Sequence, residues 1–221
     1  MFYDLEYILM IVVTLIIGGA ATAYVNSNLK KYSNVPISNG LTGAQAAQQM
    51  LRYYGITGVP VQVGAEGQDF FDPKTNSVTL SQSVYYGSSI TATATACHEV
   101  GHAYQFAEGY MPMKVRSAIV PVVSLASNVW MLFFLAGIVL QILQLVDLAI
   151  IMYALVVLFG IVTLPVEFNA SHRAMTYMGA IALPAEEQKG AFAVLRSCAL
   201  TYVASALISA IQLLYLLGRR D

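Results

Sequence analysis

The sequence predicts a mainly α protein: a bundle of four membrane-spanning helices with a small α+β domain outside the bilayer. Three observations point there. First, the 221-residue chain is 57% hydrophobic and only 10% charged, where soluble domains average roughly 45–50% apolar and about 25% charged. Second, the apolar residues gather into four runs of about 20 residues, the length a helix needs to cross a hydrocarbon core of about 30 Å. Third, a stretch of mixed composition between the first and second runs carries turn residues and short β-type segments. A chain this apolar is not disordered. Its formal net charge of -1 offers no global basic field for phosphates, which excludes nucleic acid as a partner.

The runs fall at residues 7–25, 119–140, 148–166 and 198–217. They divide the chain into a first transmembrane helix (1–25), a domain outside the bilayer (26–117), the second and third spans (118–166), a helical segment on the same side as that domain (167–197), and a fourth span with its tail (198–221). The first run follows Asp4 and Glu6 rather than Lys or Arg, and Asn26-Ser27-Asn28 is a poor cleavage site, so the reading is a retained anchor. Nine of the eleven Lys and Arg residues lie between spans one and two (Lys30, Lys31, Arg52, Lys74, Lys114, Arg116) or between three and four (Arg173, Lys189, Arg196). The positive-inside rule puts both regions in the cytoplasm. The 141–147 link has no Lys or Arg and faces outward, while Arg219 and Arg220 break the bias unless the fourth helix is tilted or partly inserted.

Within 26–117, Thr42 and Gln45 form a capping-box signature ahead of a short helix closing on Gly55. Three β-type runs, 59–63, 69–71 and 77–80, are separated by turn-rich segments and predict a small antiparallel sheet. The run at 77–80 could also receive an extended peptide by strand addition. Ser88 or Ser89 then caps a helix running to about Glu108 and stopped by Gly109. The two cysteines, Cys97 and Cys198, have no disulfide-framework spacing and read as free thiols.

That last helix carries His98-Glu99-Val100-Gly101-His102. Residues at i and i+4 share a helix face, so both imidazoles can bind one Zn2+ ion while Glu99 acts as general base on a water. Zinc lowers the pKa of a bound water from about 15.7 to about 7, which makes peptide hydrolysis the natural product of these parts. A catalytic zinc takes a third protein ligand and keeps one position open. Glu108, Asp147, Glu167, His172, Glu186 and Glu187 are the downstream candidates. Glu108 points away from the histidine face, and Asp147 falls on the far side of the membrane. Glu167 follows Pro165 at the cytoplasmic end of the third span, where a carboxylate is costly without a partner, and it is the first choice. His172 is its rival, but five helical residues turn the chain by about 140°, so the two cannot face one metal; Ser171, by contrast, shares the Glu167 face. Arg173 and Tyr202 are the nameable donors for a developing oxyanion.

With these residues in place, the chain resembles the YugP-type membrane zinc metallopeptidases of bacteria over nearly its whole length. The resemblance rests on Met1-Phe2-Tyr3-Asp4, Gly40-Leu41-Thr42-Gly43-Ala44, Tyr85-Tyr86-Gly87, the His98–Ala103 stretch, Arg116-Ser117-Ala118, Leu164 through Ser171, and Ala199 through Ala204. It implies a zincin-like domain, one zinc per chain, His98, His102 and Glu167 as ligands, Glu99 as base, and a multi-pass protein of the bacterial plasma membrane with its site facing the cytoplasm. The Glu167–Ser171 stretch is also similar to the Glu-x-x-x-Asp stretch of HtpX-type proteases, with Ser171 where that family has a carboxylate. His172 departs from the Arg usual in the YugP-type family. No metzincin or intramembrane site-2 motif is present.

Two polar stripes, Ser117, Pro121, Ser124 and Asn128 in the second span and Thr201, Ser205, Ser209 and Gln212 in the fourth, have helical spacing and read as interhelical contacts or as a substrate path. The expected partners are a protein or peptide substrate, the bilayer and a membrane regulatory protein. Two rival readings stand beside the peptidase. One is a noncatalytic membrane assembly or regulatory subunit with a structural zinc; the other is a transporter component, poorly served by four spans without an intramembrane carboxylate pair.

Overall fold

A computed structural model describes residues 5–218; the expectations placed on Met1 to Asp4 and on Arg219 and Arg220 lie outside the described residues. The elements in chain order are α1 (Leu5–Ser33), α2 (Gly43–Tyr53), β1 (Val61–Gly64), β2 (Phe70–Asp72), β3 (Ser77–Ser81), α3 (Gln82–Tyr85), α4 (Ile90–Ala107), α5 (Met111–Leu140), α6 (Leu143–Ala180) and α7 (Ala185–Gly218). The fold is mainly helical with one small sheet, and α1, α5, α6 and α7 are each long and apolar enough to cross a membrane. The chain divides into two compact units, one made of residues 23–113 and 165–200 and the other of the remaining described residues.

In the first unit, α2 begins as its sequence dictates. The Thr42 hydroxyl accepts from the Gln45 N–H, and the Gln45 side chain accepts from the Thr42 N–H, so two N-terminal donors are satisfied reciprocally. Its alanines, Met50 and Leu51 bury one face. Ser89 caps α4 by accepting from the Ala92 N–H. The sheet corrects the antiparallel expectation. Its order is β1-β3-β2, with β1 parallel and β2 antiparallel to β3. The chain passes from β1 to the far edge before returning to the middle, so the first and third strands run the same way. All five β3 residues are buried and both its edges are paired, so β3 cannot accept a peptide strand; the free edges belong to β1 and β2.

α4 lies beneath this sheet in a core that includes Met50, Val78, Leu80, Val100, Val166, Tyr177, Met178 and Val194. Its approach to α6 is close enough to exclude a side chain at Gly101: a Cβ there would sit 2.6 Å from the Ala170 carbonyl oxygen and 3.0 Å from its Cα. Both atoms are backbone, so the contact cannot be relieved by a rotamer change.

In the second unit, the Trp130 and Tyr153 rings lie 4.6 Å apart and those of Tyr7 and Tyr215 lie 5.7 Å apart. The Tyr153 hydroxyl donates to Gln212, which gives one member of the predicted polar stripes an interhelical bond, while Asn128 donates along its own helix to the Ser124 carbonyl. The α5–α6 link is shorter than predicted: only Gln141 and Ile142 separate the helices, and Asp147 lies inside α6. Gln141 adopts a left-handed φ of 56° to make the reversal. Pro165 falls within α6 and removes the N–H that would bond the carbonyl one turn earlier, two residues ahead of Glu167.

Replacing Gly101 by Ala forces α4 off α6. The expected result is a loss of about 1–3 kcal/mol, read as a lowered thermal midpoint of the detergent-solubilised protein, together with weakened metal binding; an unchanged midpoint would show that the helices do not meet there.

Candidate metal centre

The i, i+4 spacing on α4 sets the His98 and His102 rings side by side, centroids 4.7 Å apart and nearly perpendicular. The close passage at Gly101 brings α6 alongside. Glu167 Oε2 then lies 3.2 Å from His98 Nε2 and 3.6 Å from His102 Nε2. One ligand atom from each of the three residues falls within 4.8 Å of the other two. Glu167 is 2% exposed, and a buried carboxylate facing two imidazoles calls for a cation, either protons on the rings or a metal between them. Two imidazoles and one carboxylate are a zinc ligand set that leaves a fourth position for water or substrate, so the residues present fit the ion. Burial disfavours a proton on His102, but the hydrogen bond to Glu167 and the Glu99 charge outweigh it and lift its pKa above the usual imidazole range.

Glu99 is also buried and is held from the sheet: its Oε2 accepts the Phe71 N–H of β2 at 3.0 Å. The edge strand thereby fixes the direction of the carboxylate next to the two histidines. The distal nitrogens of the histidines are also engaged. His98 Nδ1 lies 3.2 Å from the Ser171 hydroxyl, as the shared α6 face of Glu167 and Ser171 predicts. His102 Nδ1 lies 3.0 Å from Gln105 Oε1.

Among the downstream candidates only Glu167 joins the histidines. Glu108 pairs with Arg173, exposed Glu186 pairs with Lys189, Glu187 accepts the Ser38 N–H, and Asp147 belongs to the other unit. His172 is exposed and lines a cavity of about 320 Å³ with Ser171, Phe192 and Arg196. Of the two oxyanion candidates, Tyr202 also belongs to the other unit, and Arg173 is occupied: it donates to Asn169 as well as to Glu108, and its guanidinium lies 4.2 Å over the Tyr104 ring. Three contributors escaped sequence reading. The Phe71 N–H is a backbone group with no residue signature, and Asn169 entered only as one residue of the Leu164–Ser171 stretch. Gln105 stands three residues beyond His102 on the same helix face, a signal that was available.

Four helices long and apolar enough to cross a membrane and a two-histidine, one-carboxylate cluster that could hold a metal ion define the class of protein, and the comparisons give its family. A family model described as "Putative neutral zinc metallopeptidase" matches residues 7–220. The chain is also 46% identical over 192 residues to "Putative membrane protease YugP" of Bacillus subtilis (strain 168), an alignment covering 86% of this chain and 85% of the relative. The chain therefore belongs to this neutral zinc metallopeptidase family. No solved structure matches.

Both cysteines are free thiols, and Cys97, beside His98 in sequence, points into the core rather than the cluster. Burial pushes its pKa up to about 12. The thiolate forms only as pH approaches that value, so at about pH 8 an alkylating reagent should leave Cys97 unmodified until denaturant is added. Rapid labelling of the folded protein, read by mass spectrometry, would contradict this burial.

Proposed function

We propose that the chain is a membrane zinc metalloendopeptidase that hydrolyses peptide bonds of membrane or membrane-proximal proteins. The observation that carries the reading is the convergence of His98, His102 and Glu167 with the oriented Glu99 carboxylate beside them. The three residues would hold one zinc ion, and bound there the metal supplies Lewis-acid polarisation of a scissile carbonyl and acidification of water. Glu99, with Oε2 tied to Phe71, accepts the proton of the attacking water on Oε1 and returns it to the leaving amine. His98, His102 and Glu167 are ligands in this reading, and Ser171 orients His98.

Three clustered donors among the described residues favour catalysis over a structural role, since structural zinc sites are closed by four protein ligands. The distribution of Lys and Arg supports a site facing the cytoplasm of a bacterial plasma membrane. Membrane proteins presented at that face, or segments next to it, are the corresponding substrates.

Metal content and cleavage of an unstructured polypeptide, measured on detergent-purified protein, test the reading. Glu99→Gln should keep about one zinc and lose cleavage by about 10²–10⁴-fold. Glu167→Ala should lose both. Full zinc in Glu167→Ala, with no cleavage by the native chain, would remove the peptidase reading and favour the assembly subunit with a structural zinc.

A further inference from the structure

The polar atoms behind His102 form a chain whose donors and acceptors are fixed by chemistry. Arg173 can only donate, and its Nε lies 2.7 Å from one side-chain atom of Asn169; that atom is therefore the amide oxygen. The same oxygen lies 2.9 Å from one atom of the Gln105 amide, and the Val166 carbonyl lies 2.8 Å from it. Both partners are acceptors, so the Gln105 atom between them is the NH2 group. The other end of the Gln105 amide is then its oxygen, 3.0 Å from His102 Nδ1. An oxygen there requires the imidazole to carry its proton on Nδ1. Gln105 is completely buried, and flipping the amide would set its oxygen against two acceptors, the Val166 carbonyl and the Asn169 oxygen.

We propose that Gln105 is a positioning residue that holds the His102 proton on Nδ1 and so presents the Nε2 lone pair to the metal, with Arg173, anchored by Glu108, as the fixed point that sets the orientation. The inference rests on the reading of His102 as a ligand. It also gives Arg173 a structural task on the α6 side of the centre, where Asn169 and Glu167 belong to one stretch of helix. The Gln105 amide donates to Val166 and Asn169 of α6, so the same amide that orients the ring also ties the two ligand-bearing helices together.

Nitrogen-15 spectra of histidine-labelled, metal-free full-length protein, recorded above the pH at which the His102 signals stop titrating, read the tautomer of the neutral ring directly. With three histidines in the chain, assignment needs only His98→Gln and His172→Gln variants. The native His102 should show protonated Nδ1. Gln105→Met should mix the tautomers and weaken zinc binding by about 10–100-fold, whereas Gln105→Glu, which keeps an acceptor facing Nδ1 but loses the donor to Val166 and Asn169, should keep the proton on Nδ1. A native Nε2–H tautomer, or a Gln105→Met protein with native tautomer and zinc affinity, would overturn the proposal. Were Gln105→Met not to fold, the native tautomer and the Gln105→Glu tautomer still decide it. If the native chain binds no zinc yet shows protonated Nδ1, the ligand reading fails and the role of Gln105 in fixing the ring stands.

Discussion

The close passage of α4 over α6 is the constraint on which the centre depends. Two of its residues lie on α4 and one on α6, more than sixty positions apart, and Glu167 lies within 3.2 Å of His98 because the backbones meet at Gly101 and Ala170. A glycine inside a helix costs about 1 kcal/mol relative to alanine. Here that cost secures an approach no other residue permits. The glycine also falls between the two histidines, so this close contact of the helices lies beside the three clustered side chains.

Around this contact each polar group is held by another element. The β2 edge supplies a backbone N–H to Glu99, Ser171 meets His98, and Gln105 spans from His102 to α6. Glu99, His102 and Gln105 are buried, and His98 and Ser171 half-buried, where an unpaired donor or acceptor costs about 1–3 kcal/mol, so the hydrogen bonds settle directions as well as supply energy. The result is a set of nitrogen and oxygen atoms held close together by partners on three elements.

Much of this was legible in the sequence because it is local. The capping box at Thr42, the Ser89 cap, the apolar runs and the i, i+4 histidines are all encoded within one or two helical turns. Glu167 was legible for a different reason: a carboxylate at the end of an apolar run is expensive unless something pairs with it. The sheet order was not legible, since alternation in short strands does not say which strand lies between the others. The lengths of α6 and α7 were also missed in part. Hydropathy marks the stretch that suits a bilayer, whereas helix propensity carries α6 on through Ala180. The roles of Arg173 and Gln105 depend on partners distant in the chain, Glu108 for the first and α6 for the second, so Arg173 read only as a donor for a developing oxyanion.

One zinc ion held by His98, His102 and Glu167 is the proposed centre, and X-ray absorption at the zinc edge of the purified full-length protein tests it most directly. The predicted spectrum contains two imidazole nitrogens and oxygen ligands at about 2.0–2.2 Å. A sulfur shell at about 2.3 Å, which would bring in Cys97 or Cys198, or the absence of imidazole scattering, would contradict it.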